Sequence, residues 1–189
     1  MKKIAVFTSG HSRGSNFLAI CDYIKENSLP VEISFLFITD KTAPIVNHAK
    51  VRNIKFFEYD TSKKINDFLI KICQDNPVDL IALCGFTRKL SEQFFLIIKM
   101  PIINIHPALL PKYGGKGMYG MNVHTAVFEN KEKVSGATVH FVNERYDEGA
   151  IILQKECDIS KCKSADEVAK LVLEIEHEIY PMVIHKILS

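Results

Sequence analysis

The stretch NIHPALLPKYGG, residues 104–115, places an amide and an imidazole two residues apart at the end of an apolar run. Alternate side chains of a strand point to the same side, so Asn104 and His106 should converge on one spot. Pro107 and Pro111 follow and predict that the strand ends there and opens into a loop. An amide N–H and a protonated imidazole can both donate to a developing oxyanion. A pair that only closes a turn is the structural alternative.

The chemistry that this pair would serve is direct attack rather than covalent catalysis. No serine or cysteine stands between Asn104 and His106 to act as a nucleophile. An amine of the substrate would then attack an activated carbonyl, and the two side chains would stabilise the charge that develops on its oxygen.

The segment SGHSRGSN, residues 9–16, brings Gly14, Ser15 and Asn16 to the start of a helical pattern directly after an apolar run. Free backbone N–H groups at a helix N-terminus, together with the helix dipole, form an anion site, and phosphate is the expected ligand. The spacing matches neither G-x-G-x-x-G nor a Walker A loop, so it predicts no dinucleotide or ATP. An ordinary tight turn is the alternative.

Two further segments carry polar groups to predicted turns. ERYDEG places Asp147 between two strand patterns, where a carboxylate could position His106 or pass a proton through water. CGFTRKL places Arg88 and Leu90 after the most apolar strand, where exposed backbone groups could bond a flat heterocycle while the leucine packs against it. A plain turn is the alternative for both segments. The other histidines show no paired metal-ligand spacing, so no metal site is predicted.

These segments need strands and helices in alternation to position them. Apolar runs predict strands over residues 3–8, 31–40, 54–60, 78–86 and 101–106. Helical patterns cover residues 16–27, about 41–52, 63–76, 91–100 and 122–131. This alternation predicts an α/β fold with a mostly parallel, twisted sheet and helices on both faces. Ligands of such sheets bind outside the carboxyl ends of the strands, where the polar segments lie.

The last third of the chain follows a different pattern. Residues 136–143 and 149–159 predict two strands joined by the short segment ERYDE, and therefore an antiparallel hairpin at the C-terminal edge of the sheet. Residues 164–188 predict a long helix, with Ser164 and Glu167 at capping-box spacing. With 189 residues and no repeat or linker, the chain is expected to form a single domain, residues 1–189.

Composition argues against several classes of protein. The 24 Lys and Arg against 22 Asp and Glu give a net charge of +2, and no long run of one sign predicts nucleic-acid or membrane-surface binding. The five cysteines lack C-x-x-C spacing and indicate reduced thiols in a cytoplasmic protein. The apolar part of the N-terminus is too short for a signal peptide, and no stretch is long enough to span a membrane.

Five motifs, in order along the chain, resemble the phosphoribosylglycinamide formyltransferase family. They are GSN at 14–16, CGFTRKL at 84–90, NIHPALLPKYGG at 104–115, GATVHFVNERYDEGAIILQ at 136–154 and EHEIYP at 176–181. They cover nearly the whole chain, and N-x-H-P-x-L-L-P-x-Y followed by D-x-G-x-I-x-x-Q is a specific combination. The resemblance implies a Rossmann-like formyltransferase fold and one catalytic domain.

The resemblance also implies an activity and a site. The formyl group of 10-formyltetrahydrofolate would pass to the amine of glycinamide ribonucleotide in purine biosynthesis, without a metal. Asn104 and protonated His106 would stabilise the oxyanion, and Asp147 would position His106 and help a water carry the proton. The other implied contacts are Gly14, Ser15 and Asn16 for the phosphate, Glu176 for the ribose or glycinamide, and Arg88, Leu90, Val142 and Asn143 for the pterin.

The sequence departs from the pattern of the family in three places. Ser12 and Arg13 lengthen the first loop, and Arg13 could add charge to the phosphate site or point to solvent. The segment GGKGMYGMNVH, residues 114–124, replaces a shorter P-G-x-H segment of many members. The chain ends at Ser189, where longer members continue. The longer loop is expected to change the shape of the substrate entrance, and the shorter end to alter self-association as a homodimer.

Other functions remain as alternatives. An amino-sugar formyltransferase, a methionyl-tRNA formyltransferase and a formyltetrahydrofolate hydrolase share the Asn, His and Asp constellation. We expect a tRNA enzyme to carry a further domain and a basic surface, an amino-sugar enzyme a nucleotide-binding extension, and a hydrolase a regulatory domain. A folate- or nucleotide-binding module without catalysis is the alternative from another class, and it would not need His106.

Overall fold

A seven-stranded sheet runs through the computed structural model, which describes residues 1–189. The strands are β1 (Lys2–Phe7), β2 (Val31–Ile38), β3 (Phe56–Glu58), β4 (Leu80–Leu83), β5 (Ile102–His106), β6 (Val134–Phe141) and β7 (Ile151–Asp158). The helices are α1 (Ser15–Glu26), α2 (Ile45–Val51), α3 (Ile65–Asp75), α4 (Glu92–Ile97), α5 (Met121–Glu129) and α6 (Ala165–Leu188).

The order of the strands is β3-β2-β1-β4-β5-β6-β7. The first five strands pair in parallel, whereas β6 runs antiparallel to β5 and β7 antiparallel to β6. The predicted α/β fold, with antiparallel strands at the C-terminal edge, is therefore confirmed. None of the six helices combines the length and the apolar character that a membrane span requires.

Two predicted strands, β3 and β4, are more than twice as long as the observed ones. β3 is an edge strand and pairs with β2 only over Leu36–Ile38, so it is shorter than residues 54–60. β4 begins at Leu80 rather than at residue 78, because the Asp79 carboxylate accepts a hydrogen bond from the Lys3 N–H at 2.8 Å. β4 ends at Leu83, ahead of a turn through Gly85, which has φ of 70°.

The central strands bury both of their faces. Ile4 and Val6 of β1 belong to one apolar core, which also holds residues of α1, α2, α5 and α6. Ala5 and Phe7 point the other way, into a second core with residues of α3 and α4. Parallel sheets require such cover on both faces. Polar side chains are therefore left to the ends of the strands.

The helix α6 is anchored to the sheet just below those ends. The fully buried Tyr180 donates its hydroxyl to the carbonyl oxygen of Leu83 at 2.9 Å, and that of Ile103 lies at 3.2 Å. α6 begins as predicted, because the Ser164 hydroxyl accepts from the Glu167 N–H at 3.2 Å. The Glu167 carboxylate accepts from the Lys163 N–H at 2.7 Å and completes the cap.

The loop between β6 and β7 folds tightly back onto β6. It spans residues 142–150 and is longer than the predicted ERYDE segment. The Phe141 N–H donates to the carbonyl oxygen of Ala150 at 2.9 Å and closes the loop. A Cβ atom added at Gly149 would lie 1.6 Å from the Phe141 carbonyl oxygen. Only glycine fits this approach, which lies two residues after Asp147.

We expect Gly149→Ala to destabilise the protein strongly, because the added methyl would push the loop away from the Phe141 carbonyl, which the pairing of β6 holds in place. Overpacking of this kind costs about 3 kcal/mol, or about 6 to 12 °C in Tm for a chain of this length. Thermal unfolding followed by circular dichroism measures it. Gly10→Ala is the control, since Gly10 has φ of 65° but nothing within 4 Å of the added carbon. An equal loss in both variants would contradict the steric explanation.

Candidate active site

Asn104 and His106 both line a cavity of about 490 Å³ beyond the carboxyl end of β5. His106 is the last residue of β5 and is 3% exposed, and Asn104 is half-buried. Their predicted convergence is confirmed. Other elements add further polar residues to the lining of the same cavity, among them Asn16, His124, Asp147 and Glu176.

The amide of Asn104 is oriented by His140, which β6 places directly opposite it. The His140 Nδ1 lies 2.8 Å from the Phe141 carbonyl oxygen, which can only accept, so Nδ1 carries the hydrogen. Burial outweighs the neighbouring Asp147 and lowers the pKa of His140, so the ring is neutral and its Nε2 accepts. Asn104 Nδ2 lies 3.2 Å from this Nε2 and retains a second hydrogen for a ligand.

His106 is held in the opposite tautomer. Its Nε2 lies 2.8 Å from the carbonyl oxygen of Tyr113, so Nε2 is the protonated nitrogen. Nδ1 lies 3.6 Å from Asp147 Oδ2, a separation that suits an ion pair but is too long for a direct hydrogen bond. Nδ1 is therefore the nitrogen that remains for reacting groups.

Asp147 lies between the two imidazole rings. Its Oδ1 is 3.7 Å from His140 Nε2, and its Oδ2 accepts a hydrogen bond of 2.8 Å from the Gly115 N–H. The backbone of Asp147 has φ of 58°, a left-handed conformation that aspartate adopts more readily than most residues. The carboxylate can compensate a positive charge on His106 and pass a proton through a water.

The predicted phosphate loop reaches the rim of the cavity. Gly14 precedes α1 with φ of 82°, and no side chain caps the helix. A Cβ at Gly14 would lie 2.7 Å from a side-chain carbon of the fully buried Ile45, so the loop needs glycine here. Gly14 and Ser15 do not line the cavity, whereas Asn16 does. The first N–H groups of α1 stay available to an anion beside it.

Asn16 and Glu176 form a buried pair in the cavity wall. Asn16 Nδ2 donates to Glu176 Oε2 at 2.6 Å, and Asn16 Oδ1 is buried without a protein partner. Glu176 is 8% exposed, and burial raises its pKa to about 7, although the bond from Asn16 acts in the opposite direction. A carboxyl that can hold its proton and an unsatisfied amide oxygen suit a ligand with hydroxyl or amide groups.

The residues predicted to hold the pterin lie in an adjoining cleft of about 60 Å³. Arg88 and Asn143 are exposed there and Leu90 is buried, whereas the N–H of Val142 is already bonded to the Ile102 carbonyl at 2.8 Å. The cleft shares four residues with the larger cavity: Phe86, Asn104, Tyr146 and Asp147. Asn104 and Asp147 therefore stand where the two spaces meet.

Sequence reasoning missed several residues of the site. The sequence analysis treated His140 and His124 only as histidines without metal-ligand spacing. His124, on α5, lines the cavity with an unpartnered Nδ1, and burial followed by the charge of His106 lowers its pKa to about 4. Lys116 and Tyr119 of the glycine-rich loop also line the cavity. The pairing of Asn104 with His140 needed the strand order, which no local pattern gives.

Known proteins resemble this chain over nearly its whole length. The formyl transferase family model matches residues 2–184. Phosphoribosylglycinamide formyltransferase of Bacillus subtilis is 33% identical over 194 residues, which cover 100% of this chain and 96% of the relative. The crystal structure of glycinamide ribonucleotide transformylase 1 from Geobacillus kaustophilus superposes with a TM-score of 0.89 at 28% identity and covers all of both chains.

Plant relatives are longer. The chloroplastic phosphoribosylglycinamide formyltransferase of Arabidopsis thaliana is 34% identical over 189 residues, which cover 97% of this chain and 64% of the relative. The chain thus spans less than two thirds of this relative, and 60% of the corresponding protein of Vigna unguiculata.

Glu176→Gln should remove a pH-dependent loss of stability. Folding raises the pKa of the Glu176 carboxyl from 4.5 to about 7. Between these pH values the folded protein binds more protons than the unfolded protein. The free energy of unfolding therefore falls as the pH rises through that range. Gln keeps the acceptor for Asn16 but carries no charge. We expect the variant to match the wild type at pH 5 and to gain about 2 to 4 kcal/mol at pH 8 in urea unfolding. A gain that is the same at both pH values would show that Glu176 ionises freely.

Proposed function

The chain belongs to the formyl transferase family, and from this premise we propose that it is a phosphoribosylglycinamide formyltransferase. It would transfer the formyl group of 10-formyltetrahydrofolate to the amine of glycinamide ribonucleotide in de novo purine biosynthesis. The observation that carries this proposal is the common wall of the two spaces: Asn104 and Asp147 line both. A group that passes from a donor in one to an acceptor in the other meets these side chains midway.

The larger cavity suits the ribonucleotide. The uncapped start of α1, with Gly14, Ser15 and Asn16, would bind the phosphate through backbone N–H groups. Glu176 and the free Oδ1 of Asn16 would accept hydrogen bonds from the ribose or the glycinamide. This arrangement leaves the amine of the ligand free to extend toward Asn104.

The smaller cleft suits one edge of the pterin. Leu90 would pack against the ring, and exposed backbone near Val142 and Asn143 would bond its heteroatoms, with Arg88 at the rim. The cleft encloses about 60 Å³, so the rest of the folate would extend past Phe86 and Tyr146 into the shared space. The formyl group would then lie beside Asn104.

The chemistry uses the second hydrogen of Asn104 Nδ2 and the free Nδ1 of His106, which takes up a proton so that the ring is an imidazolium. As the amine nitrogen bonds to the formyl carbon, Asn104 Nδ2–H and a protonated His106 Nδ1–H donate to the developing oxyanion. Asp147, 3.6 Å from that Nδ1, compensates its charge. A water beside Asp147 carries the proton of the amine to the folate nitrogen as its bond to the formyl carbon breaks. No covalent enzyme intermediate and no metal is needed.

The domain organisation of the enzyme and its cellular compartment belong to the same proposal. We propose that residues 1–189 act as one catalytic domain in the cytoplasm. Five free cysteines support a reducing compartment. The homodimer stays a prediction.

An acceptor assay tests the function. With 10-formyltetrahydrofolate as donor, glycinamide ribonucleotide, an amino-sugar nucleotide and water alone are offered in parallel, and release of tetrahydrofolate is followed by absorbance. We expect turnover with glycinamide ribonucleotide only. Turnover with the amino sugar or with water would overturn the pathway but keep the site chemistry. No turnover with any acceptor would favour a binding module.

His106→Ala should lower kcat by about 10²- to 10³-fold, the loss expected when one oxyanion donor is removed. Binding of glycinamide ribonucleotide, measured by calorimetry, should change little, because the contact strengthens in the transition state. His48→Ala on α2, outside both spaces, is the control. Equal losses of binding and turnover would contradict the role of His106 in the transition state.

The pH profile of the wild type gives an independent check. The rate should rise and then fall with increasing pH, because the acceptor amine must be neutral and His106 protonated. Steady-state kinetics between pH 5 and 10 measure the profile. A flat profile through neutrality would exclude both ionisations as limits on the rate.

A further inference from the structure

Tyr113 links the ring of His106 to side chains outside the cavity. Its carbonyl oxygen lies 2.8 Å from His106 Nε2, and its hydroxyl donates to Glu132 Oε1 at 2.9 Å. Lys112 Nζ lies 3.2 Å from the same Oε1. The end of β5 is thus connected to the turn between α5 and β6. Neither Tyr113 nor Glu132 lines the space proposed for the ribonucleotide or the pterin cleft.

The backbone of Tyr113 needs this support. Its φ of 57° lies in the left-handed region, which a bulky side chain seldom adopts because Cβ crowds the carbonyl. Such a conformation persists only where the surroundings fix it. Here both ends of the residue are held, the carbonyl by His106 and the hydroxyl by Glu132. Without the hydroxyl contact, the backbone can relax and turn the carbonyl away from Nε2.

Packing alone does not fix the ring of Tyr113. A cavity of about 200 Å³ lies beside it and is also lined by Glu156 and by Ser135, whose buried hydroxyl has no protein partner. A ring next to open space lacks dispersion contacts on that side. One side of the ring packs against the main apolar core, and the hydrogen bond to Glu132 fixes its hydroxyl end beside the open space.

The charges favour this bond at neutral pH. The hydrogen bond from Tyr113 and the contact with Lys112 lower the pKa of Glu132, so it is a carboxylate. Burial and the same bond raise the pKa of Tyr113, so the phenol keeps its proton. A phenol that donates to a carboxylate forms a charge-assisted hydrogen bond, which is stronger than a neutral one.

We infer that Tyr113 and Glu132 are positioning residues that hold His106 with its hydrogen on Nε2 and with Nδ1 turned toward the reacting groups. This inference rests on the proposed function. It gives Tyr113 and Glu132 a role in catalysis although neither lines the spaces proposed for the substrates. Lys112 supports the pair by holding Glu132.

Steady-state kinetics of three variants test the effect on turnover. Glu132→Ala and Tyr113→Phe should lower kcat about tenfold and change KM for both substrates less than about twofold, because misplacing a catalytic ring acts on the chemical step. Glu132→Gln keeps an acceptor oxygen and should restore at least about half of kcat. Glu156→Ala, in the same small cavity but without a bond to Tyr113, is the matched control and should retain the kcat of the wild type.

Nitrogen-15 NMR of the histidine rings tests the tautomer itself. At alkaline pH, where an imidazole is neutral, the wild-type signals of His106, assigned by comparison with His106→Ala, should show the hydrogen on Nε2. Glu132→Ala and Tyr113→Phe should give a mixture of both tautomers, with circular dichroism confirming that they fold. Unchanged tautomer signals in both folded variants would overturn the inference, even if kcat falls.

The NMR measurement separates this inference from the proposed function, since it needs no substrate. If the wild type fails to formylate glycinamide ribonucleotide, the proposed function is overturned. The shift of the His106 tautomer in Glu132→Ala would still support the positioning role, and its absence would still exclude it.

Discussion

The antiparallel register of β5 against β6 is the constraint on which the site depends. It pairs Asn104 with His140 and His106 with Thr138. A slip by one residue would turn every side chain of β6 to the opposite face, and the amide of Asn104 would lose the acceptor that orients it. Thr138 extends the effect beyond the strands, because its hydroxyl donates to the Ala108 carbonyl at 2.6 Å and accepts from the Leu110 N–H at 3.2 Å. The register therefore also fixes the path of the chain after β5.

Backbone carbonyl groups decide which ring nitrogen carries the hydrogen in His140 and in His106. The hydrogen of His140 is on Nδ1 because Phe141 accepts it, and that of His106 is on Nε2 because Tyr113 accepts it. Asp147 then faces a nitrogen lone pair on His140 and the free nitrogen of His106. Of the two rings, His106 alone could turn a hydrogen toward Asp147, and only if its Nδ1 is protonated as well as its Nε2. Two identical side chains thus take different parts: His140 orients an amide, whereas His106 keeps Nδ1 free toward the cavity.

The sequence predicted those features that depend on a local repeat of residues, such as the alternation of a strand or the spacing of a helix. Alternation along β5 located Asn104 and His106 on one side, and hydrophobic spacing located the helices and the hairpin. Residue spacing placed Asp147 in a loop where its carboxylate could position His106, and the resemblance favoured that role over a plain turn. His140, Tyr113 and Glu132 could not be predicted, because their parts depend on the order of the strands and on which ring nitrogen carries a hydrogen. The predicted bounds of β3 and β4 were wrong for a similar reason. The neighbouring strand decides where pairing stops, even where the residues of the strand itself could continue it.

The separation of His106 from Asp147 is set by a turn that contacts both. Tyr113 accepts from His106 through its carbonyl, and two residues later Gly115 donates its N–H to Asp147. The turn holds each side chain at a fixed place, so the distance of 3.6 Å between them needs no direct bond. A direct hydrogen bond would close the gap and remove the room for a water or an oxyanion. Both Tyr113 and Asp147 have left-handed backbones, and these contacts offset the strain. The strained backbone thus lies beside the space between His106 and Asp147, where the proposed reaction would take place.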